Sequence, residues 1–348
     1  MRFIFFILLT LIPLRSTTDK EHNDKYCNDN YCLAKRYISM NPSKGEVIWQ
    51  SQETTEAIQW RNQLGLFTKT DVPIPPIEIT LSPYTWHGDF RKVVSPLIEY
   101  NRSKLSREFH TVREFKFPGS NIEVSIWGQS IILSCHSPDD LKLFTTIERD
   151  AYSLGGRRVY VTLPENFKNE VPDEYSQVSN YTNFNTGNEE LVFMNDLKDE
   201  PANSNSTLEF KKQIPLEDYV VGGDLILSKN FGLFIRSEKG VLGGLWGYVN
   251  EHAKYPYAYV DRFFVDSSIR GTGLGKELMN LFECYAKSRD ISIFTLVTRD
   301  FQAPKFYEKL GYKVDSTMPK FLMGPDGTFY GSHHYYKIVQ LNSNIKDQ

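Results

Sequence analysis

Cysteine is scarce, at four in 348 residues. That excludes a disulfide-dense small scaffold. A structural zinc site is excluded too, because Cys27 and Cys32 have no second close pair to complete one. Positive charge is not in excess. The 40 Lys and Arg meet 43 Asp and Glu, a net of -3, so no bulk basic field draws in nucleic acid. No basic helix with interleaved aromatics occurs either, and no nucleic-acid partner is expected. Beyond residue 14 no apolar run is long enough to span a bilayer. What is present is 40% hydrophobic and 14% aromatic residues in a length that accommodates two domains, the composition of a globular chain.

The N-terminus is distinctive. Met1-Arg2 precedes an apolar run from Phe3 to Leu14, followed by polar Arg15 to Thr18. A short positive region before an apolar stretch has the form of a secretory leader, so residues 1–18 are expected to be a signal peptide or an uncleaved anchor. Cys27 and Cys32 are close enough to close a small loop in an oxidising compartment. Asn101, Asn180 and Asn205 each begin an N-glycosylation sequon. These features point to the secretory pathway or the extracellular space; a leader that does not function would leave the chain in the cytoplasm.

The most informative stretch is Val265-Asp-Ser-Ser-Ile-Arg270-Gly271-Thr-Gly273-Leu274-Gly275. An apolar run from Tyr257 leads into it and an amphipathic run from Lys276 to Arg289 leads out. Strand, glycine loop and helix is the expected order. Glycines let a ligand approach the backbone closely. The bare N–H groups of a helix's first turn suit phosphate. A Walker loop is excluded because Arg270 stands where its first glycine belongs, and a dinucleotide fingerprint because Lys276 stands where its third belongs. A plain glycine-rich turn is the remaining alternative.

Arg270-x-x-Gly273-x-Gly275 after an apolar strand resembles the acyl-CoA loop of the GNAT N-acetyltransferase superfamily. Gln302-Ala-Pro304-Lys-Phe-Tyr307-Glu-Lys-Leu-Gly311-Tyr312 is similar to that superfamily's late helix and following strand. Val241-Leu-Gly-Gly-Leu-Trp-Gly-Tyr248 is similar to the strand before the acyl-CoA strand. The three blocks stand in family order between about 231 and 339. The resemblance implies a mixed α/β (α+β) fold, with acetyl-CoA as co-substrate and an amine as acceptor. It implies that Phe263, Phe264 and Val265 pair with the pantetheine arm and that the Val265 N–H holds the thioester oxyanion. Arg270, Gly271, Gly273, Leu274, Gly275 and Lys276 would cradle the pyrophosphate. Tyr307 matches the acid that protonates the leaving thiolate, and Asp261 a position where relatives carry a general base.

Such a reaction needs those groups, because an alkylamine must lose a proton before it attacks, and a departing thiolate benefits from gaining one. Asp261 could equally pair with Arg262, and Tyr307 could be a core aromatic. Asp300 departs from the family pattern, which often has Asn there; a carboxylate near phosphate would repel it. Cys284 falls inside the expected helix, which argues for direct attack over a covalent intermediate. The group Tyr330, His333, His334, Tyr335 and Tyr336 either lines an acceptor cleft or closes the core. His333 and His334 face opposite ways on a strand, so no metal pair is expected. A catalytically inactive binding protein on the same scaffold is the second reading of the chain.

Along the chain, residues 19–75 are a polar lead ending in the Pro-rich linker at 72–77. Residues 76–215 form a second α/β region, and 216–341 the acetyltransferase-like domain. Strands are expected at 78–81, on both sides of Gly128 within 122–135, and at 159–163; helices at 89–107 and 138–154. Residues 164–215 read as a long loop. In the last third, strands are expected at 231–236, 241–249, 257–265, 292–297 and 335–341, with helices at 273–289 and 304–310. The superfamily fold also needs a first strand and one or two helices before 231, and 208–230 is too short to hold them all. Either 78–107 supply them, with an insertion between, or 76–165 form a separate α/β domain, with a degenerate copy of the same fold as one form of it.

Overall fold

The structure is a computed structural model describing residues 46–50, 77–83, 88–120, 122–134, 137–198, 206–215, 230–238, 240–287 and 289–339. The leader, Cys27, Cys32, Cys135 and the Asn205 sequon lie outside the described residues. In chain order the elements are β1 (Glu46–Gln50), β2 (Ile77–Pro83), α1 (Gly88–Lys104), β3 (Thr111–Lys116), β4 (Glu123–Trp127), β5 (Ser130–Ser134), α2 (Pro138–Leu141), α3 (Phe144–Ser153), β6 (Arg158–Pro164), β7 (Ser176–Asn183), β8 (Asn188–Asp196) and β9 (Glu209–Pro215). They continue with β10 (Asn230–Ser237), β11 (Gly240–Asn250), β12 (Tyr257–Val265), α4 (Leu274–Lys287), β13 (Ile293–Arg299), α5 (Pro304–Lys309), β14 (Lys313–Met323) and β15 (Phe329–Ile338).

One sheet runs β1-β2-β10-β11-β12-β13-β15-β14, the other β7-β8-β6-β5-β4-β3-β9. β2 lies antiparallel to β10, from Phe231↔Pro83 to Ser237↔Ile77. α1 then lays Val93, Val94 and Ile98 on Phe234 and Trp246 of the same sheet. The strand and helix needed ahead of residue 231 thus come from 77–104. The stretch from 105 to 229 is an insertion that carries the second sheet.

The insertion repeats the pattern of its host. In each sheet three antiparallel strands lead, through a helical crossover, to a parallel neighbour: β3-β4-β5 then β6, and β10-β11-β12 then β13. In each, the next two strands exchange places, β8 beside β6 and β15 beside β13. The first position beside β10 is filled by the preceding β2, and that beside β3 by the following β9.

Two expectations need correction. The presumed loop at 164–215 contains β7, β8 and β9. Leu191, Val192 and Phe193 of β8 are buried, whereas β7 and β9 are edge strands whose polar and charged residues mask the periodicity. The single helix expected over 138–154 is two, α2 and α3, divided at Lys142-Leu143.

The α4 face of the host sheet buries Leu233, Leu245, Ala258, Val260, Phe294, Leu296 and Tyr335 under Leu274, Leu278, Leu281 and Phe282. Alternation along the strands sends Phe234, Trp246 and Phe264 to the opposite face, beneath α1. The two units share a third cluster, in which Phe109, Trp127, Tyr160 and Tyr181 of the insertion meet Met318, Phe321 and Leu322 of β14. Polar contacts seal it: Ser130 Oγ donates to the Phe321 carbonyl at 2.5 Å and the Tyr160 hydroxyl to that of Pro319.

Candidate functional site

β12 and β13 run parallel and paired only from Tyr257↔Ile293 to Val260↔Leu296. Beyond that point β12 continues to Val265 against β11, and β13 to Arg299 against β15. The sheet therefore forks at Asp261, leaving two strand edges that face each other. The fork has a local cause. The β11–β12 register shifts between Trp246↔Arg262 and Gly247↔Val260, so Asp261 is the extra residue of a bulge, which bends the strand. Gly247 permits this. A side chain there would run into the Tyr259 carbonyl and the Phe282 ring.

The open edge presents a useful donor. Asp266 N donates to the Leu242 carbonyl on the β11 side at 2.8 Å. Alternation then turns the Val265 N–H away from β11, into the fork. The Val265 carbonyl is held by Arg270 Nε at 2.9 Å, which keeps the strand end in place. The guanidinium of Arg270 also lies 5.7 Å from the centre of the Phe264 ring.

The loop that follows suits an anion. Asp266 caps the short turn at 267–269, accepting from Ser268 N at 2.8 Å and Ser268 Oγ at 2.6 Å. Those bonds hold its carboxyl below the usual carboxylate range. Gly271 and Gly273 have φ of 80° and 94°, conformations that strain any side chain. No atom lies within 4 Å of where a Gly271 side chain would begin. Ile269 and Leu274 anchor the two ends of the loop in the core, and Thr272 Oγ1 donates to the Ile269 carbonyl at 2.7 Å. Leu274 thus contributes its N–H, not its side chain, to the first turn of α4, where the first intrahelical bond is Glu277 N to the Gly273 carbonyl. Gly275 faces Phe263 and Phe306, at 3.3 Å and 3.6 Å from its would-be Cβ, so its smallness lets helix and strand approach. Lys276 is exposed beside Arg270, two cations at the helix mouth.

Phe263 stacks on Phe306 of α5 at 5.4 Å and meets Tyr307 edge-on at 6.4 Å. The Tyr307 ring is buried, and burial holds its hydroxyl well above the ordinary tyrosine pKa. That hydroxyl makes no hydrogen bond among the described residues, yet it is not one of the fully buried unpartnered atoms. It is a protonated donor without a partner among the described residues.

Asp261 is 23% exposed, and its Oδ1 accepts from Arg262 Nη1 at 2.7 Å. The pairing weighed against its catalytic role in the sequence is therefore present. Asp300 is held away from any loop phosphate: it accepts from Gly331 N and lies 2.7 Å from His333 Nε2. His333 and His334 do face opposite ways. His333 also contacts Thr317 Oγ1 at 3.1 Å; His334 lies between Asp315 and Thr295, 3.0 Å from each. Tyr335 is core, buried beside Tyr307.

Tyr259, Arg262 and Arg299 were not singled out by sequence reasoning. They gather at the fork on the α1 face, and their charges act on one another there. The alternation Tyr257-x-Tyr259 was the available signal; the bulge that adds Arg262 to that face was not readable. The insertion repeats the strand order but not the fork. β5 and β6 stay paired from Ser130↔Arg158 to Ser134↔Thr162, and the first turn of α2 carries Asp139 and Asp140, which repel phosphate.

The family model described as "Acetyltransferase (GNAT) family" matches residues 193–312. Blasticidin-S acetyltransferase of Streptomyces morookaense is 35% identical over 96 residues, 27% of this chain and 68% of that protein. Among solved structures, an acetyltransferase from Bacillus cereus ATCC 14579 is 27% identical with a TM-score of 0.28, covering 35% of this chain and 84% of its own. A putative streptothricin acetyltransferase from Bacillus anthracis str. Ames, solved with acetyl coenzyme A, is 18% identical with a TM-score of 0.29, covering 52% and 99%.

Proposed function

Since the chain belongs to the GNAT acetyltransferase family, whose co-substrate is acetyl-CoA, we propose that it moves the acetyl group to an amine by direct attack in a ternary complex. The observation that carries this reading is the fork whose open edge leads into the glycine loop. The pantetheine arm adds to the free edge at Phe263 to Val265, as a strand would. Its pyrophosphate meets the N–H groups of Gly271 to Lys276, with Arg270 and Lys276 beside it. The Val265 N–H polarises the thioester carbonyl and stabilises the oxyanion. The amine nitrogen attacks that carbon, a C–N bond forms and the C–S bond breaks. The amine's proton passes to Asp261, directly or through water, and the thiolate takes a proton from Tyr307.

Blasticidin S is the first acceptor to test, because the related Streptomyces enzyme is named for it. The leader residues Phe3 to Leu14 support a route into the secretory pathway, to be checked by the mass of the mature N-terminus. The Asp261–Arg262 pair favours one rival, an inactive acetyl-CoA binder, since the carboxylate already has a partner.

Thermal unfolding with and without acetyl-CoA tests the core of the proposal. Ligand at about 100 times its Kd adds roughly 2.7 kcal/mol, a rise of about 4 °C at an unfolding entropy of about 2.1 cal/mol/K per residue. The rise is expected in the native protein and not in Gly273→Asp. A shift followed by acetylation within an amine panel supports the enzyme; a shift with no product from any amine supports the binder. No shift in folded protein refutes both.

A further inference from the structure

The face of the fork opposite α4 is crossed by two elements. α1 covers it at Phe234, Trp246 and Phe264, and its C-terminal end reaches across to β13, where the Tyr100 hydroxyl donates to the Phe301 carbonyl at 2.6 Å. The second element is the β7–β8 hairpin of the insertion. Ser179 Oγ accepts from Thr317 N of β14 at 3.0 Å. Tyr181 meets His334 of β15 edge-on at 6.1 Å, and Phe184 lies against Tyr257 of β12 at 6.1 Å. At the tip, the Asn185 carbonyl accepts from Lys254 N at 3.1 Å. The hairpin thus spans the host sheet from its β14 edge to the β11–β12 turn.

Between these two walls lies a polar strip that ends at the fork. Tyr259, Asp261 and Arg262 form one end of it, and His334 and Asp315 the other; all are partly open rather than buried. The Tyr259 hydroxyl has no hydrogen bond from the described residues, although aromatic rings stack beside it, Tyr248 at 5.3 Å. On the hairpin side Glu190 accepts from the Tyr181 hydroxyl at 2.5 Å, and Asp315 lies 3.0 Å from His334 Nδ1. The cations of the strip are already placed: Arg262 pairs with Asp261, and Arg299 lies 5.9 Å from the centre of the Trp127 ring. Ring faces backed by carboxylates attract an organic cation.

We propose that the insertion is the second wall of the acceptor cleft, and that this cleft takes a small organic amine with a second positive centre, which sits against the partly open His334, with Asp315 and the Tyr181-bound Glu190 behind it. The reactive amine then points along the strip to the fork. The inference rests on the acetyltransferase reading for the position of acetyl-CoA.

The test is calorimetric binding of two probes, putrescine and butylamine, to the CoA-loaded full chain; neither turnover nor the natural acceptor is needed. Putrescine is expected to bind about tenfold tighter, the scale of one well-placed cation–aromatic contact. In Glu190→Gln and Asp315→Asn that ratio falls toward one, while the affinities for CoA and butylamine stay as in the native protein. A merely structural role would weaken both amines and CoA together. Equal binding or non-binding of the two probes by the native protein, a ratio that survives both substitutions, or a parallel loss of CoA would overturn the inference. If CoA itself fails to bind the folded native chain, the acetyltransferase reading fails first and the cleft with it.

Discussion

Tyr307 and Asp261 carry different degrees of constraint. Burial raises the Tyr307 pKa above the ordinary value of about 10. Its hydroxyl therefore keeps its proton throughout the neutral range, so the proposed acid stays protonated below about pH 10. Tyr307→Phe should lower kcat by about a hundredfold, the lower end of the usual range for a lost general acid, with little change in acetyl-CoA affinity. An unchanged kcat in steady-state kinetics would make the ring a core aromatic. In the proposed reaction Asp261 would take the amine's proton while its Oδ1 is held by Arg262. Asp261→Asn keeps the shape and should cut kcat by at least tenfold while leaving the acetyl-CoA Kd as it is; retention of full rate would move the base elsewhere on the strip. The glycine loop, Asp261 and Tyr307 were legible because each lies in a contiguous motif. The Arg262 lock, Tyr259 and the tethering of Asp300 to His333 were not, because they depend on which strands pair and where a register slips.

The same distinction governs the elements. Gly247→Ala shows it at β11. The new methyl group would press on the Tyr259 carbonyl and Phe282, so it must either straighten the bulge or displace α4. A cost of about 1–3 kcal/mol, usual for overpacking, is expected in denaturant unfolding, together with loss of acetyl-CoA binding as the fork closes. Binding at native strength would show that the fork does not depend on the bulge. Strand β12 was legible to the residue because apolar residues flank Asp261-Arg262 on both sides, between polar turns. β14 was harder to see: Pro319 and Lys320, the latter with φ of 53°, interrupt it, and its register against β15 slips between Met318 and Leu322. β9 is a charged edge strand, Glu-Phe-Lys-Lys-Gln-Ile-Pro, with no apolar alternation to read. Pairing of β2 with β10 joins segments separated by the whole insertion, and no local pattern carries that information.

At the scale of the molecule, the two sheets are held together by a shared apolar cluster that includes Tyr160 and Tyr181. Burial raises the pKa of Tyr160, Tyr181, Tyr248, Tyr259, Tyr307 and Tyr312. Above about pH 10 the unfolded chain releases these protons while the folded chain keeps them, so stability is full below that pH and falls as pH rises past it. The Tm should accordingly drop steeply from pH 10 to 11. Phe321 is the keystone of the shared cluster: it is fully buried, edge-on to Trp127 at 5.6 Å and to Tyr160 at 5.5 Å, and its carbonyl takes the Ser130 hydroxyl. Each sheet has its own core, and this contact couples them together with the hairpin contacts at Thr317, His334 and Lys254. Phe321→Ala should cost about 3–5 kcal/mol, the usual loss for a buried Phe. The loss falls on the interface, not on either core. Calorimetry of the native chain should show one transition and that of Phe321→Ala two, of which only the transition of the host sheet rises with acetyl-CoA. Because the hairpin would then loosen from the α1 face, putrescine binding should fall while CoA binding persists. A single, merely lowered transition with both affinities kept would mean that the insertion folds as an inseparable part of its host.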